Sequence, residues 1–246
     1  YDGQMVLVHH TGTHAETTLS ASQAVDMGRT RLYRVAIDDS TGKRLPADFY
    51  SVNRATGVVT MASDLSLTGY SGPYTFRHTI ADLARVIDAD LSGALSLNKP
   101  ITHNYPADES SVSGAMYAGT LQARVSRVFS QQTWTSVWSD TRIGDAPLAQ
   151  YNNTQWPISV SNRDAAPDRY LIQFTSSSAF RLIGEQQGII DTGNINEDFS
   201  PINTLTGRPI MTIDYRGWGL GWSTGNVLRF NVTGASVPIA LTRAVM

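Results

Sequence analysis

The sequence predicts an all-β protein: a β-sandwich domain of the jelly-roll or immunoglobulin-like kind, preceded by a smaller β unit. Three observations support this prediction. Short runs rich in Val, Ile, Thr, Tyr and Phe recur along the chain, as strands do. Turn-forming residues separate the runs, and several runs alternate polar and apolar side chains, as half-buried strands do. Stretches with the 3.6-residue period of a helix are scarce.

The smaller β unit is predicted from two strands and a hairpin. An apolar run over residues 6–8 opens the pattern, and residues 31–37 alternate polar and apolar side chains. Residues 38–42 then have the Asp, Ser and Gly content of a turn. Residues 49–52 and 58–61 flank a short Gly-containing loop, which is typical of a hairpin.

The sandwich domain is predicted from eight runs in the second half. These runs are residues 121–129, 133–138, 158–161, 170–175, 180–183, 210–213, 227–232 and 238–243. Alternation in the runs 170–175 and 227–232 places one set of large apolar side chains on a single face. The residues predicted for the core on this basis are Tyr170, Ile172, Phe174, Leu228 and Phe230.

Two segments could form short helices, residues 21–27 and residues 80–86, although the second could instead be a strand leading into residues 88–97. Residues 98–113 and 191–206 are predicted to be long loops, which in compact domains are often functional. We place a domain boundary near residues 80–88. Residues 1–85 then form a small β domain or part of one, and residues 86–246 form the sandwich domain.

Composition excludes several classes of function. The net charge is −2, so no basic excess favours nucleic acid. Cysteine is absent, which excludes thiol catalysis, cysteine-ligated metals and disulfides. No run of 18 apolar residues predicts a membrane span, and no charged-then-apolar leader predicts a signal peptide. The chain begins with Tyr1, which trimming of a longer polypeptide would explain.

Two clusters have metal-like spacing, but neither is complete. One consists of His9, His10 and His14, where the Thr-Gly-Thr between the second and third makes a shared helical face improbable. The other consists of Asp191, Asn194, Asn196 and Asp198. It lacks the order and the final bidentate Glu of a calcium loop, and an Asx-rich turn is favoured. No metal and no other cofactor are predicted.

The five tryptophans are the candidate contact residues: Trp134, Trp138, Trp156, Trp218 and Trp222. Aromatic faces can stack on sugar rings, but aromatic residues also plug the ends of sandwiches and anchor subunit interfaces. We favour a core or interface role. We predict that at least one of Trp218 and Trp222 is buried, on a sharply shaped loop in which Gly217, Gly219 and Gly221 permit positive φ without strain.

No catalytic residues are predicted, and the chain is not expected to be an enzyme. It has no Gly-x-Ser-x-Gly turn and no phosphate-binding loop. Adjacent or near-adjacent carboxylates occur at residues 38–39, 88–90, 108–109 and 197–198, all in polar or turn-like contexts. A polysaccharide hydrolase, which needs two carboxylates across a cleft, remains the weakest alternative.

The second half resembles a family of phage tail proteins. The segments that carry the resemblance are LQARV at 121–125, QQTWTSVWSD at 131–140, AQYNNTQWPI at 149–158, FRLIGE at 180–185 and GWGLGWSTGNVLRFN at 217–231. Together they resemble the conserved β domain of tail-tip or baseplate proteins from long-tailed phages and prophages. The hairpin at 51–61 is similar to the segment that precedes this domain, so the resemblance covers about residues 30–246.

The resemblance implies a structural component of the virion, made in the host cytoplasm and located in the phage tail. Its partners would be other tail-tip or baseplate proteins and further copies of itself in a symmetric homo-oligomer, with three-fold symmetry expected. Such proteins have no catalytic residues to carry over. The alternative is a carbohydrate- or receptor-binding module that contacts a host surface glycan or protein through an exposed tryptophan cluster.

Overall fold

The computed structural model describes residues 4–118, 122–162, 164, 167–233 and 237–245. The protein is nearly all β, with 45% strand and 3% helix, so the predicted fold class is confirmed. The helical residues described are two 3₁₀ turns, Ala47–Phe49 and Tyr215–Gly217. Across these ranges no helix has the length and apolar content needed to cross a membrane.

The described strands fall into two groups along the chain. The first group is β1 (Met5–Glu16), β2 (Ala24–Asp26), β3 (Arg34–Asp38), β4 (Tyr50–Asn53), β5 (Val58–Met61), β6 (Tyr74–Ala89), β7 (Leu95–Leu97) and β8 (Ser111–Ala118). The second group is β9 (Arg124–Gln131), β10 (Ser159–Val160), β11 (Asp168–Phe174), β12 (Ala179–Gly184), β13 (Gly188–Asn194), β14 (Ile202–Asn203), β15 (Arg208–Pro209), β16 (Met211–Thr212), β17 (Val227–Thr233) and β18 (Val237–Val245).

Two large sheets contain most of these strands. The six-stranded sheet has the order β18-β8-β1-β6-β3, with β7 paired to the end of β6. The eight-stranded sheet has the order β2-β5-β4-β13-β12-β11-β17-β9. Its pairs are antiparallel except for β4 with β13, which is parallel. Two-stranded ribbons, β10 with β16 and β14 with β15, complete the described pairings.

The first hydrophobic core forms where the six-stranded sheet contributes β3 and β6, and the eight-stranded sheet contributes β2, β4 and β5. Strand β6 alternates buried and less buried residues, as a strand with one covered face must. Its Phe76 and Ile80 are in one buried cluster with Tyr50 of β4 and Val59 of β5. In this region β3 and β6 of one sheet therefore pack against β2, β4 and β5 of the other, as the two layers of a sandwich do.

The second core lies on one face of β11, β12 and β17. Tyr170, Ile172, Phe174, Leu228 and Phe230 are each at most 1% exposed and belong to one cluster. The five residues predicted for the core are therefore confirmed, and so is the face of each strand that was predicted to be buried. Phe180 and Leu182 of β12 and Val232 of β17 also belong to it, and residues of 149–158 and 199–222, which are mostly loops and short ribbons, contribute the remaining members.

The predicted boundary near residues 80–88 falls inside β6. Both large sheets contain strands from either side of it. The two large cores nevertheless divide by segment, since the buried members of one lie between residues 19 and 80 and those of the other between residues 149 and 232. Independent folding of residues 1–85 stays a prediction.

Several local predictions need correction. Residues 21–27 are not helical: Ser22 has a left-handed φ of 59°, and residues 24–26 form β2, paired with β5. Residues 133–138 are not a strand, since the chain is irregular there and Ser136 has a φ of 59°. Residues 80–86 lie within β6, so of the two alternatives predicted for them the strand is correct.

The other strand and loop predictions agree with the structure except at their ends. The hairpin at 49–61 is confirmed as β4 and β5. The run predicted at 31–37 becomes a strand only at Arg34. The segments predicted to be loops also contain the first residues of β8, the last residues of β13 and all of β14. Leu121, the first residue of a predicted strand, lies outside the described residues.

Candidate functional site

Trp218 and Trp222 belong to the second core, not to an open platform. Trp222 is 3% exposed and stacks on Phe174, with ring centroids 4.3 Å apart and planes 4° apart. Trp218 is half-buried and meets the edges of Phe174 and Trp222 at 5.6 and 5.7 Å. The prediction that at least one of the pair is buried is confirmed.

The glycines of this loop are required mainly for space. A Cβ on Gly217 would stand 2.4 Å from the ring of Tyr151, and one on Gly219 would stand 2.8 Å from the carbonyl oxygen of Gln150. Of the three glycines, each of which permits positive φ, Gly221 alone adopts it, at 98°. Gly217 and Gly219 instead allow two chain segments to approach closely.

Trp134 and Trp138 cover the opposite face of the eight-stranded sheet. Both are half-buried and pack on a small cluster that includes Leu171 and Val227. Between them and the sheet lies Arg229, which is 1% exposed. Its Nη2 donates a hydrogen bond to the carbonyl oxygen of Ser139 at 3.0 Å. The irregular segment 133–139 therefore forms a lid over one buried arginine.

The guanidinium of Arg229 is held mainly by aromatic rings. Its carbon lies 4.7, 5.1 and 5.7 Å from the ring centroids of Trp138, Trp134 and Phe129. Cation–π attraction strengthens when the cation loses water. Burial, aided by Arg169, lowers the pKa of Arg229 to about 10, so the group keeps its charge at neutral pH. Sequence reasoning missed this residue because strand alternation predicts an exposed polar face there.

Trp156 is half-buried at the surface. The guanidinium carbon of Arg216 lies 3.7 Å from its ring centroid. Arg216 is itself held by Asp214, which accepts hydrogen bonds from its Nε and Nη2. One face of this indole is thus occupied, and none of the five tryptophans is an exposed side chain.

The two clusters with metal-like spacing do not converge. His9 and His10 occupy successive positions of β1, whose side chains point to opposite faces. Asp191, Asn194 and Asp198 each accept a backbone N–H, from Thr192, Asn196 and Tyr215 respectively. Within the described ranges no group of three His, Asp or Glu residues is placed to hold a metal ion.

The first carboxylate pair of the sequence has structural partners. Asp38 forms ion pairs with Arg44 and Arg77. Asp39 accepts hydrogen bonds from Thr41 and from the backbone of Lys43. The Thr41 hydroxyl makes the largest contribution to lowering the pKa of Asp39, to about 2. Both groups stabilise the turn after β3.

A group of polar side chains lies on the inner face of β1 and β6. His10, 3% exposed, accepts a hydrogen bond from Arg29 at Nδ1 and donates to Glu109 through Nε2. His78, 4% exposed, lies close to Gly12 on the neighbouring strand. Burial first, and then Arg29 and His10, lower the pKa of His78 to about 4. His78 is therefore neutral at physiological pH.

Asp82 of β6 fixes the loop that follows β7. It accepts hydrogen bonds from the backbone and hydroxyl of Thr102, from Nδ1 of His103 and from the hydroxyl of Tyr105, all at 2.8–3.0 Å. Burial raises the pKa of Asp82, but these hydrogen bonds together outweigh it and lower the pKa to about 2. The carboxylate is charged and its acceptor sites are in use.

The anchored loop forms one wall of a groove. Three depressions follow one another there, the first sharing Thr102 and His103 with the second, and the second sharing Arg54 with the third. We call them together the arginine groove. The residues that line its first two depressions include Arg29, Arg31, Tyr33, Arg54 and Leu205. The first depression has a volume of about 480 Å³, within the range of small-ligand sites.

Sequence reasoning did not find the arginine groove. Its lining residues come from separate segments: the chain between β2 and β3, the β4–β5 turn, β6, the loop after β7 and the β14–β15 turn. No motif joins them. A hydrogen bond from the backbone of Leu32 to the carbonyl oxygen of Arg54 brings the first two segments together.

Comparisons with protein-family models, with curated proteins and with solved structures found no match to this chain.

Proposed function

We propose that the protein is a structural component of a phage tail tip or baseplate and assembles there as a symmetric homo-oligomer, three-fold, with neighbouring tail proteins. The proposal rests on the resemblance of the segments between residues 121 and 231 and on an apolar surface suited to a subunit contact. Its localisation would be the phage tail. Its function would depend on surfaces, and no reaction is assigned to it.

The observation that carries the assembly is a pair of exposed leucines on one rigid part of the surface. Leu148 is 94% exposed and Leu220 is 90% exposed. The segments that bear them are joined by a hydrogen bond from the backbone of Gly219 to Gln150 and by a β-bridge between Tyr151 and Trp218. Covering one leucine fully stabilises an interface by about 1.5–3 kcal/mol.

The experiment is a measurement of oligomeric mass by light scattering and sedimentation. The double variant Leu148→Asp/Leu220→Asp should dissociate the oligomer, because it places two carboxylates in an apolar contact. Leu91→Asp is the matched control, since Leu91 is fully exposed on the turn between β6 and β7. A wild-type protein that is monomeric at all concentrations would contradict the assembly.

The place in the virion is tested separately. Antibody-labelled particles, imaged by electron microscopy, should show the label at the end of the tail. Label on the capsid, or on no particle, would remove the tail-tip assignment whatever the oligomeric state.

The alternative function was a carbohydrate- or receptor-binding module acting through the tryptophans. The packing of Trp218 and Trp222 in the second core, and of Trp134 and Trp138 over Arg229, uses these rings within the protein. This arrangement favours the packing and interface role over a tryptophan platform.

A further inference from the structure

The arginine groove contains guanidinium groups that, among the described residues, have no carboxylate within ion-pair distance, although Asp168 acts on Arg54 electrostatically from farther away. Six other arginines form ion pairs: Arg44, Arg77, Arg127, Arg169, Arg181 and Arg216. In the part of the chain that the structure describes, Arg31 and Arg54 have neither an ion pair nor a side-chain hydrogen bond. Burial lowers the pKa of Arg54, so its charge is maintained at an energetic cost. A partly desolvated guanidinium without an ion-pair partner is a recognition group for an oxyanion.

Arg31 is also held in an unfavourable backbone conformation. Its φ is 55°, in the left-handed region where a non-glycine residue is disfavoured. Backbone strain of this kind is often found at binding sites. The side chain of Arg31 lines the same depression as that of Arg54. The strained residue thus brings a second arginine to the depression that Arg54 lines.

The carboxylates of the groove do not cancel this charge. Asp82 is occupied by its four donors, and Asp26 accepts a hydrogen bond from the backbone of Gly28. Three arginines, Arg29, Arg31 and Arg54, line the first two depressions together with these two carboxylates. The residues that line these two depressions therefore have a net positive charge, although the net charge of the whole chain is −2.

The other residues that line the groove indicate which kind of molecule bears the anionic group. Tyr33 is 47% exposed and lines the second depression, so its ring is accessible for stacking. Thr30, Thr56 and Asn104 line the first depression with hydroxyl and amide groups. Among the described residues, the buried Nε2 atom of His103, in the shared wall, has no hydrogen-bond partner. An aromatic ring, several hydroxyl-bonding groups and an elongated groove suit a chain of sugar rings better than a compact ion.

We propose that the arginine groove binds an acidic saccharide, with Arg31 and Arg54 holding a carboxylate of the sugar chain and Tyr33 stacking on an adjacent ring. The site is separate from the five tryptophans and from the Leu148–Leu220 surface. The inference goes beyond the proposed structural function and does not depend on it. Saccharide binding can be measured whether the protein is a monomer or an oligomer.

The experiment is calorimetric titration of the full chain with oligogalacturonate at low salt. Neutral maltohexaose, a polyglutamate peptide and inorganic phosphate are the comparison probes. Oligogalacturonate should bind, and its affinity should fall as salt rises, because the contact is charge-dependent. Absence of binding at millimolar oligogalacturonate would overturn the proposal. Equal binding of polyglutamate or phosphate would show a general anion site and would overturn the saccharide assignment.

Variants locate the binding. Arg54→Gln should weaken binding about tenfold, and Arg54→Lys should restore part of it. Arg85→Gln removes the same charge from an exposed residue of β6 that does not line the groove and should leave the affinity unchanged. Equal losses in Arg54→Gln and Arg85→Gln would show a nonspecific charge effect and overturn the placement.

Arg31→Gly separates binding from folding. Glycine adopts a φ of 55° without strain, so this variant should keep or raise the melting temperature while it weakens binding about tenfold. A variant with an unchanged melting temperature and unchanged affinity would exclude Arg31 from the site and overturn its proposed role.

Discussion

The guanidinium carbon of Arg229 lies 4.7 Å from the ring centroid of Trp138, in a position where the arginine is 1% exposed. No carboxylate within ion-pair distance of this guanidinium was found among the described residues. Its hydrogen bonds go to the carbonyl oxygens of Val137 and Ser139. A buried cation without a carboxylate partner is expensive, so the rings and the two carbonyls must compensate for lost hydration.

Replacing Arg229 should show which property of the side chain is needed. Arg229→Lys should lower the free energy of unfolding by about 2 kcal/mol or more, because a compact, strongly hydrated ammonium cannot reproduce the planar contacts. Arg229→Met should cost less, since it removes the buried charge and keeps an apolar stem. Urea unfolding at pH 7 measures both. A lysine variant as stable as wild type would refute this account.

Phe230 should be one of the main stabilising residues of the second core. It is fully buried and stacks on Tyr170 with ring centroids 5.5 Å apart. Phe230→Ala should cost about 3–5 kcal/mol of unfolding free energy. Tyr215→Ala, at an aromatic that is 48% exposed, is the control and should cost about 0.5 kcal/mol or less. A loss below about 1 kcal/mol for Phe230→Ala would contradict the assigned core.

Trp218 and Trp222 should matter for folding before they matter for any ligand. The double variant Trp218→Ala/Trp222→Ala removes the stack on Phe174 and should impair folding or assembly, measured by melting temperature and oligomeric mass. Trp156→Ala, at the surface, should have a smaller effect. Normal assembly of the double variant with loss of adsorption to a host polysaccharide would favour the receptor-module alternative.

The pH dependence of stability should contain a contribution from Asp168. Burial raises its pKa to about 6, although Gln186 and Gln187 donate hydrogen bonds to it. The folded state then binds a proton more tightly than the unfolded state. The stabilisation is complete below about pH 4 and is lost as the pH rises through 6, a change of about 3 kcal/mol. The unfolding free energy of wild type minus that of Asp168→Asn should fall accordingly between pH 4 and 7.

His78 has the opposite effect in the same range. Its pKa is lowered to about 4 by burial first and then by Arg29, so the unfolded state binds the proton more tightly. Its contribution is present at neutral pH and is lost as the pH falls through 4. His78→Gln should therefore steepen the decline in stability that Asp168 produces with rising pH. An unchanged profile would contradict the shift assigned to His78.

Folding should not require a metal ion. The histidines of β1 and the Asx-rich residues 191–198 each have other partners. A strong chelator should leave the melting temperature within about one degree, which corresponds to a few tenths of a kcal/mol. A drop of many degrees, restored by one added divalent cation, would identify a site that the described residues do not show.

The most predictable part of the fold was which side chains of a strand face the core. Ile172 and Leu228 are paired neighbours on adjacent strands, and alternation alone placed both in the core. Residues 133–138 defeated the same reasoning, because β-branched and aromatic residues favour a strand by composition while here they cover another strand. A high β-propensity indicates that a side chain packs well against a pleated sheet. It does not distinguish a residue within a strand from a residue that covers the sheet from outside.

The candidate site could not be predicted, for a different reason. Arg31, Arg54 and His103 are brought together by tertiary contacts, among them the hydrogen bond from Leu32 to Arg54 and the anchoring of the 102–105 loop by Asp82. Each arginine looks like an ordinary exposed residue in its own segment. The burial of Arg229 was hidden in the same way, because its cover comes from an irregular segment about 90 positions earlier, to which the guanidinium donates.

The parallel pairing of β4 with β13 also determines how the molecule forms. It joins Ser51 to Gly188, and the nearby ion pair between Arg181 and Asp64 spans 117 positions. The chain must close this large loop before the eight-stranded sheet becomes continuous, and contacts so distant in sequence make folding slow. The same barrier opposes unfolding. Long persistence of the folded state, measured as a slow unfolding rate, is therefore expected even where the equilibrium stability is ordinary.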